Sequence, residues 1–214
     1  MRLFLSSYRA GAHDKELLKF LGDIKKIAVI TNAKDYKTPE DRREKIEDNF
    51  NYYCSIGLEP TEIDLRPFFG KADNEALLNG YQFVWMAGGN VFLLRRALRY
   101  TGLDNLLVDK VRDGSVIYGG ESAGAIIAGP TLKHSEMDTD EDSPSFVPDG
   151  YRKETIWDGL DLVDYVPVPH YQSGEYTAEI QHYIDRLDAD RIAHKEMTDD
   201  QAIVIDGDKR EFLK

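Results

Sequence analysis

The segment Gly120-Glu121-Ser122-Ala123-Gly124 holds the residue best suited to act as a nucleophile. A serine hydroxyl is weak alone; it becomes reactive when a sharp turn exposes it and a base takes its proton. The β-rich run Val116-Ile117-Tyr118 precedes this serine, and the small-residue run Ala123-Gly124-Ala125-Ile126-Ile127-Ala128 follows it. That order reads as strand, turn and helix, the setting in which G-x-S-x-G presents a reactive oxygen. The glycines leave room for a strained turn, often with positive φ at the serine. Amides at the start of the helix then face a developing oxyanion. The competing structural reading is a serine capping a buried helix after a glycine turn; the context favours the nucleophile.

A nucleophilic serine needs a base, and the chain has five histidines. His170 ends the strand-like run 164–169, where Pro167 and Pro169 fix the approach of the chain. His134 is the other candidate, and spacing alone does not choose between them. His182 falls mid-helix and His194 in a polar turn, so both read as solvated; His13 starts or caps the first helix. A second glycine cluster, Ala87-Gly88-Gly89-Asn90, lies between a strand and a helix. Paired glycines let backbone N–H groups approach a ligand, so this turn can supply half of an oxyanion hole, with Asn90 capping the helix. It is not a phosphate loop, because neither G-x-G-x-x-G nor a following Lys-Ser/Thr is present.

The elements that must position these residues form an α/β pattern. Strands are expected at 2–6, 26–31, 61–65, 83–87 and 115–118, with a late hairpin of 203–205 and 211–213 turning at Asp206-Gly207-Asp208. Continuous apolar runs such as Ile27-Ala28-Val29-Ile30 suit parallel strands covered on both faces. Thr38-Pro39-Glu40-Asp41 opens a helix reaching about Ser55. A second helix spans 90–100, with Val91, Leu94 and Leu98 on one face, Arg95, Arg96 and Arg99 elsewhere, and Gly102 at its end. A third runs from 173 or 174 to 187, and its stripe is Ile180, Tyr183, Ile184 and Leu187. The polar, acidic segment 133–149 has neither period, and so long a loop is usually functional or mobile.

Composition narrows the function classes. The 214 residues fit one domain, with 42% hydrophobic and 31% charged residues, ordinary values for a soluble globular protein. A net charge of −12 disfavours nucleic acid, which needs a dense basic face. The single cysteine, Cys54, allows no intrachain disulfide, and no metal-ligand pattern such as H-E-x-x-H occurs, so neither metal nor cofactor is expected. With no signal-peptide pattern and no apolar run of membrane-spanning length, the expected location is the cytoplasm.

Taken together, Gly88-Gly89-Asn90-Val91-Phe92-Leu93-Leu94, then Gly120-Glu121-Ser122-Ala123-Gly124-Ala125, then Pro169-His170-Tyr171 resemble the peptidase E (aspartyl dipeptidase) family of serine peptidases over nearly the whole chain. The resemblance implies a mainly parallel sheet flanked by helices, a class I glutamine amidotransferase-like (flavodoxin-like) three-layer sandwich. It implies a triad of Ser122, His170 and an acid, with the Gly89 and Ala123 amides as oxyanion hole. The family places its acid shortly after a turn like Gly129-Pro130-Thr131; a straight count lands on Met137, and Glu136, with Asp138 beside it, is the expected partner of the imidazole. Asn90 and Glu121 are expected to bind substrate, Glu121 through an ammonium group. Aspartate-selective members carry an arginine after the histidine, whereas 171–185 contains no Lys or Arg; Arg9, Arg95, Arg96 and Arg152 are the substitutes on offer. The implied activity is hydrolysis of dipeptides or short peptides, some with N-terminal aspartate. The rivals are an esterase, amidase or cyanophycinase-like hydrolase, and an inactive binding protein of the same fold. A small peptide is the expected partner and a homodimer the assembly allowed for; nucleic acid and membranes are not expected.

Overall fold

Ile27-Ala28-Val29-Ile30 is apolar at every position, and each of the four is fully buried. In the computed structural model, which describes residues 1–71, 74–136 and 143–214, this run is β2 (Lys26–Ile30), the second strand from one edge of a seven-stranded sheet and paired on both sides. Its neighbours are β3 (Glu59–Ile63) and β4 (Phe83–Met86); β5 (Ile117–Glu121) and β1 (Arg2–Ser6) continue the parallel part. The antiparallel hairpin of β8 (Ala202–Asp206) and β9 (Lys209–Leu213) completes the order β3-β2-β4-β5-β1-β8-β9.

Two apolar clusters, one on each face, make this a three-layer α/β sandwich. One gathers Leu3, Leu5, Ala28, Ile30 and Met86 against α3 (Val91–Thr101) and α4 (Leu103–Arg112). The other gathers Phe4, Val29 and Trp85 against α1 (Asp14–Leu21) and α2 (Pro39–Ser55). Adjacent strand residues point to opposite faces, which is why Leu3 and Phe4 serve different clusters. The fold is the mainly parallel, helix-flanked, flavodoxin-like architecture that the sequence pattern implies.

Local chemistry sets most element ends. Thr38 accepts the Asp41 amide at 3.2 Å and Pro39 takes the first helical position, so α2 starts where its cap lies. Asn90 accepts the Leu93 amide at 2.8 Å to open α3, and Gly102 ends it in the left-handed region. Three expectations shift. β3 begins two residues early, at Glu59. β5 runs through Gly119 and Gly120 to Glu121, because Gly119 fits beneath Phe83 and Trp85 and Gly120 fits against the Gly124 backbone. Arg95 and Arg96, expected off the apolar face, are buried and do a different job. Arg95 pairs with Asp104 at 2.9 Å, and Arg96 donates to the carbonyls of Phe146, Glu154 and Pro144, pinning the long loop onto the core.

Outside the main sheet, β6 (Val166–Val168) and β7 (His194–Glu196) pair in parallel, and α6 (Thr177–Ala189) packs on them through Ile180, Tyr183, Ile184 and Leu187. Among the described residues no helix is long and apolar enough to cross a membrane.

Candidate active site

Ser122 follows β5 at the C-terminal edge of the parallel strands, where open α/β sheets collect their ligands. Its backbone has φ 50° and ψ −115°, an arrangement L-residues rarely adopt and one that turns the side chain outward. Three backbone hydrogen bonds impose it. The Ser122 amide donates to Ser6 O at 3.1 Å, extending the β1–β5 register, while Ser122 O accepts the amides of Ala125 and Ile126 to open α5 (Ala123–Ile126). The turn is too tight for side chains: a methyl on Gly120 would meet Gly124 O, and one on Gly124 would meet Met86 O. The Ala123 amide precedes the first intrahelical donor, so helix bonding does not consume it.

His170 arrives from the smaller sheet. It lies two residues past β6, and Asp199 lies three residues past β7; because these strands are parallel, both loops leave the same edge. His170 Nε2 is 3.0 Å from Ser122 Oγ, and His170 Nδ1 is 2.7 Å from Asp199 Oδ1. Ser7, fully buried at the end of β1, locks the pair: its hydroxyl donates to Asp199 at 2.7 Å and accepts the His170 amide at 2.7 Å. Burial acts to raise the Asp199 carboxyl, but hydrogen bonds from Ser7, Ser173 and His170 outweigh it and hold the group below its ordinary value. The carboxylate fixes the tautomer with Nδ1 protonated, leaving Nε2 free to accept the hydroxyl proton.

The structure brings some expected residues together and separates others. Ser122, His170 and Gly89 line one cavity of about 180 Å³, while Ala123 directly follows the serine. Glu136 does not approach the imidazole: its Oε1 pairs with Arg186 at 2.5 Å, and the carboxylate on His170 is that of Asp199. Asp138 lies outside the described residues. Glu121 is buried and does not line the cavity. Its oxygens take the Arg9 amide at 2.5 Å, Asn49 at 3.4 Å and Tyr53 at 3.5 Å. The reason is strand alternation, which turns it from the serine's side toward the α2 side of the sheet. Asn90 acts as the cap of α3. His134 pairs with Asp190 at 2.8 Å rather than with the serine. Of the four candidate cations, Arg95 and Arg96 are consumed in the core, Arg152 lies over Tyr100, and Arg9 lies over Tyr8 and Tyr52. Asp199 is the residue that sequence reasoning missed. Its signal was faint: β7 is three residues long, and the polar stretch Thr198-Asp199-Asp200 resembles an ordinary turn.

Comparison with known proteins agrees with this architecture. A candidate peptidase E protein from Listeria monocytogenes superposes with a TM-score of 0.77 at 24% identity, covering 100% of this chain and 98% of that one. An uncharacterized peptidase of Pasteurella multocida is 30% identical over 86% of this chain and 84% of its own length. Peptidase E of Streptomyces coelicolor is 38% identical over 51% of this chain and 40% of its own. The chain spans about half the length of the first curated relatives it matches, 43% and 54% of two Listeria peptidases. The model of peptidase family S51 matches residues 5–213, and the chain belongs to that family, the peptidase E family.

Proposed function

We infer that the protein is a serine exopeptidase that hydrolyses dipeptides or short peptides. One observation carries the reading: Asp199, His170 and Ser122 form a continuous hydrogen-bonded chain, 2.7 Å and then 3.0 Å, ending on a strained, half-buried serine that lines the cavity. Ser122 Oγ attacks the scissile carbonyl while its proton passes to His170 Nε2. The Gly89 and Ala123 amides receive the oxyanion, and the imidazolium, steadied by Asp199, returns the proton to the departing amine. Water then repeats the sequence on the acyl-enzyme, with His170 again as base.

The cavity beside the serine is walled by Val91, Ile126 and Ile180, and among the described residues no Lys or Arg lines it. A substrate carboxylate placed there would lose its hydration without gaining a cation. The substrate side chain seated in it is therefore neutral, and aspartate is a poor fit.

The test is hydrolysis of Ala-X and Leu-X dipeptides beside an Asp-X set, with Ser122→Ala as blank. The expected result is serine-dependent cleavage of the neutral dipeptides, at least about 10-fold faster than Asp-X in kcat/KM. Faster cleavage of Asp-X would overturn the specificity and keep the mechanism. Equal rates for wild type and Ser122→Ala on every peptide would overturn both.

A further inference from the structure

Lys34 is a partly buried cation close to the nucleophile that makes no ion pair among the described residues. It ends a short 3-10 turn, Asn32–Lys34, that follows β2. Its Nζ donates to Gly88 O at 2.9 Å, and no carboxylate among the described residues lies within ion-pair distance of it. Drawing an ammonium out of water without a direct ion-pair partner is costly, and Glu121 offsets that cost only in part, so the site gains something else from keeping it.

What it holds is one end of a peptide plane. The Gly88 carbonyl and the Gly89 N–H belong to the same trans amide and point in opposite directions. With Gly88 O fixed by Lys34, the Gly89 N–H faces away from the ammonium. Gly88 packs against Ser122, where an added methyl would meet the serine Cβ at 3.0 Å, and Gly89 lines the cavity that Ser122 and His170 share. The next peptide is held by the residue beside Lys34: Ala33 O accepts the Asn90 amide at 2.7 Å. Gly89 sits between these clamps at φ 140°, pressed so closely on Ala33 O that no Cβ would fit. Ala33 and Lys34 thus form a cradle for the Gly88-Gly89-Asn90 turn, one gripping it by an acceptor and the other by a charged donor.

Resting on the serine peptidase reading above, we propose that Lys34 is a positioning residue of the oxyanion hole, holding the Gly88–Gly89 amide so that the Gly89 N–H points at the substrate oxyanion. A cation on the carbonyl also draws electron density from the amide, which strengthens its N–H as a donor when negative charge develops. The effect belongs to the transition state, so it enters kcat rather than substrate binding. Burial lowers the Lys34 ammonium from its ordinary value, partly opposed by Glu121 and reinforced by the positive charges of Lys37, Lys45 and Arg42.

The experiment compares wild type, Ser122→Ala, Lys34→Met and Lys34→Arg on the neutral dipeptides. Thermal unfolding runs alongside, together with the rate of inactivation by a serine-directed phosphonate whose tetrahedral oxygen occupies the same hole. Methionine keeps the length and removes the donor. Its expected effect is a fall in kcat of about 10- to 100-fold with KM within about twofold, somewhat less than deleting an oxyanion donor outright. Phosphonate inactivation slows in parallel, Tm is unchanged or higher, and Lys34→Arg recovers part of kcat. An unchanged kcat and phosphonate rate in Lys34→Met, with wild-type turnover still abolished by Ser122→Ala, would overturn the proposal alone. A loss confined to KM or Tm would also overturn it, since a purely structural lysine acts there. Turnover independent of Ser122 would overturn it together with the mechanism.

Discussion

The two halves of the site are built by different means. The serine half belongs to the main sheet, where all five residues of β5 are buried and Ser122 is held by backbone contacts to Ser6, Ala125 and Ile126. The histidine half hangs from the three-residue strands β6 and β7, and its side chains are 22% exposed at His170 and 45% exposed at Asp199. One half is held by close packing and backbone hydrogen bonds, the other by side-chain hydrogen bonds. Added volume should therefore damage the first and leave the second tolerant, while lost charge or a lost hydroxyl should do the reverse. Ser7 is the joint between them: the residue before it anchors Ser122, and its own hydroxyl anchors His170 and Asp199.

The sharpest test of the hydrogen-bonded half is Asp199→Asn. An amide there no longer fixes the Nδ1-protonated tautomer and no longer steadies the imidazolium, so kcat should fall by about 1,000- to 10,000-fold with the fold intact. Circular dichroism and steady-state kinetics check it together. The same carboxyl gives a pH signature. Its folded value lies below the unfolded one, so its contribution to stability is present above about pH 4 and is lost as pH falls through the folded value. Asp199→Asn should flatten that part of the acid limb in thermal unfolding.

The shape-held half answers to volume instead. Gly124→Ala adds one methyl against Met86 O, a backbone atom that cannot swing aside, and should cost about 1–3 kcal/mol. Denaturant unfolding measures it, and activity should fall only as far as the turn is displaced. A loss of stability from Asp199→Asn as large as that from Gly124→Ala would erase the distinction between the halves. Ser7→Ala comes next. It removes a donor to Asp199 and the acceptor of the His170 amide without adding volume, so kcat should drop about 10-fold. The Asp199 titration should move up toward its ordinary value, because one of the bonds depressing it is gone.

The same contrast explains what the sequence disclosed. The serine half was legible because its requirements are local: a strand, glycines that clear a tight turn and a small-residue helix fall within one short segment. The cap of α2 at Thr38 and the end of α3 at Gly102 were legible for that reason too. His170 was half legible, through the prolines and the strand end, until resemblance set it above His134. Asp199 was not legible, because its place depends on β6 and β7 lying parallel, a long-range pairing with only three residues on each side to announce it. Arg95 and Arg96 show the complementary failure: helical position alone does not say that a guanidinium will be buried to hold a loop.

Glu136→Gln separates local from long-range logic most directly, and its expected effect is the smallest. By chain position Glu136 stands beside Met137, where the count from the serine lands, yet its carboxylate pairs with Arg186, and neither side chain is fully buried, at 27% and 33% exposure. Such a pair contributes roughly 0–1 kcal/mol, so the glutamine variant should unfold within that range of wild type. Activity should stay within about twofold, because nothing on His170 changes. A large loss of kcat in Glu136→Gln, with Asp199→Asn nearly silent, would return the acid to the position that chain order suggests. It would also mean that the 2.7 Å bond between His170 and Asp199 holds the ring without serving the reaction.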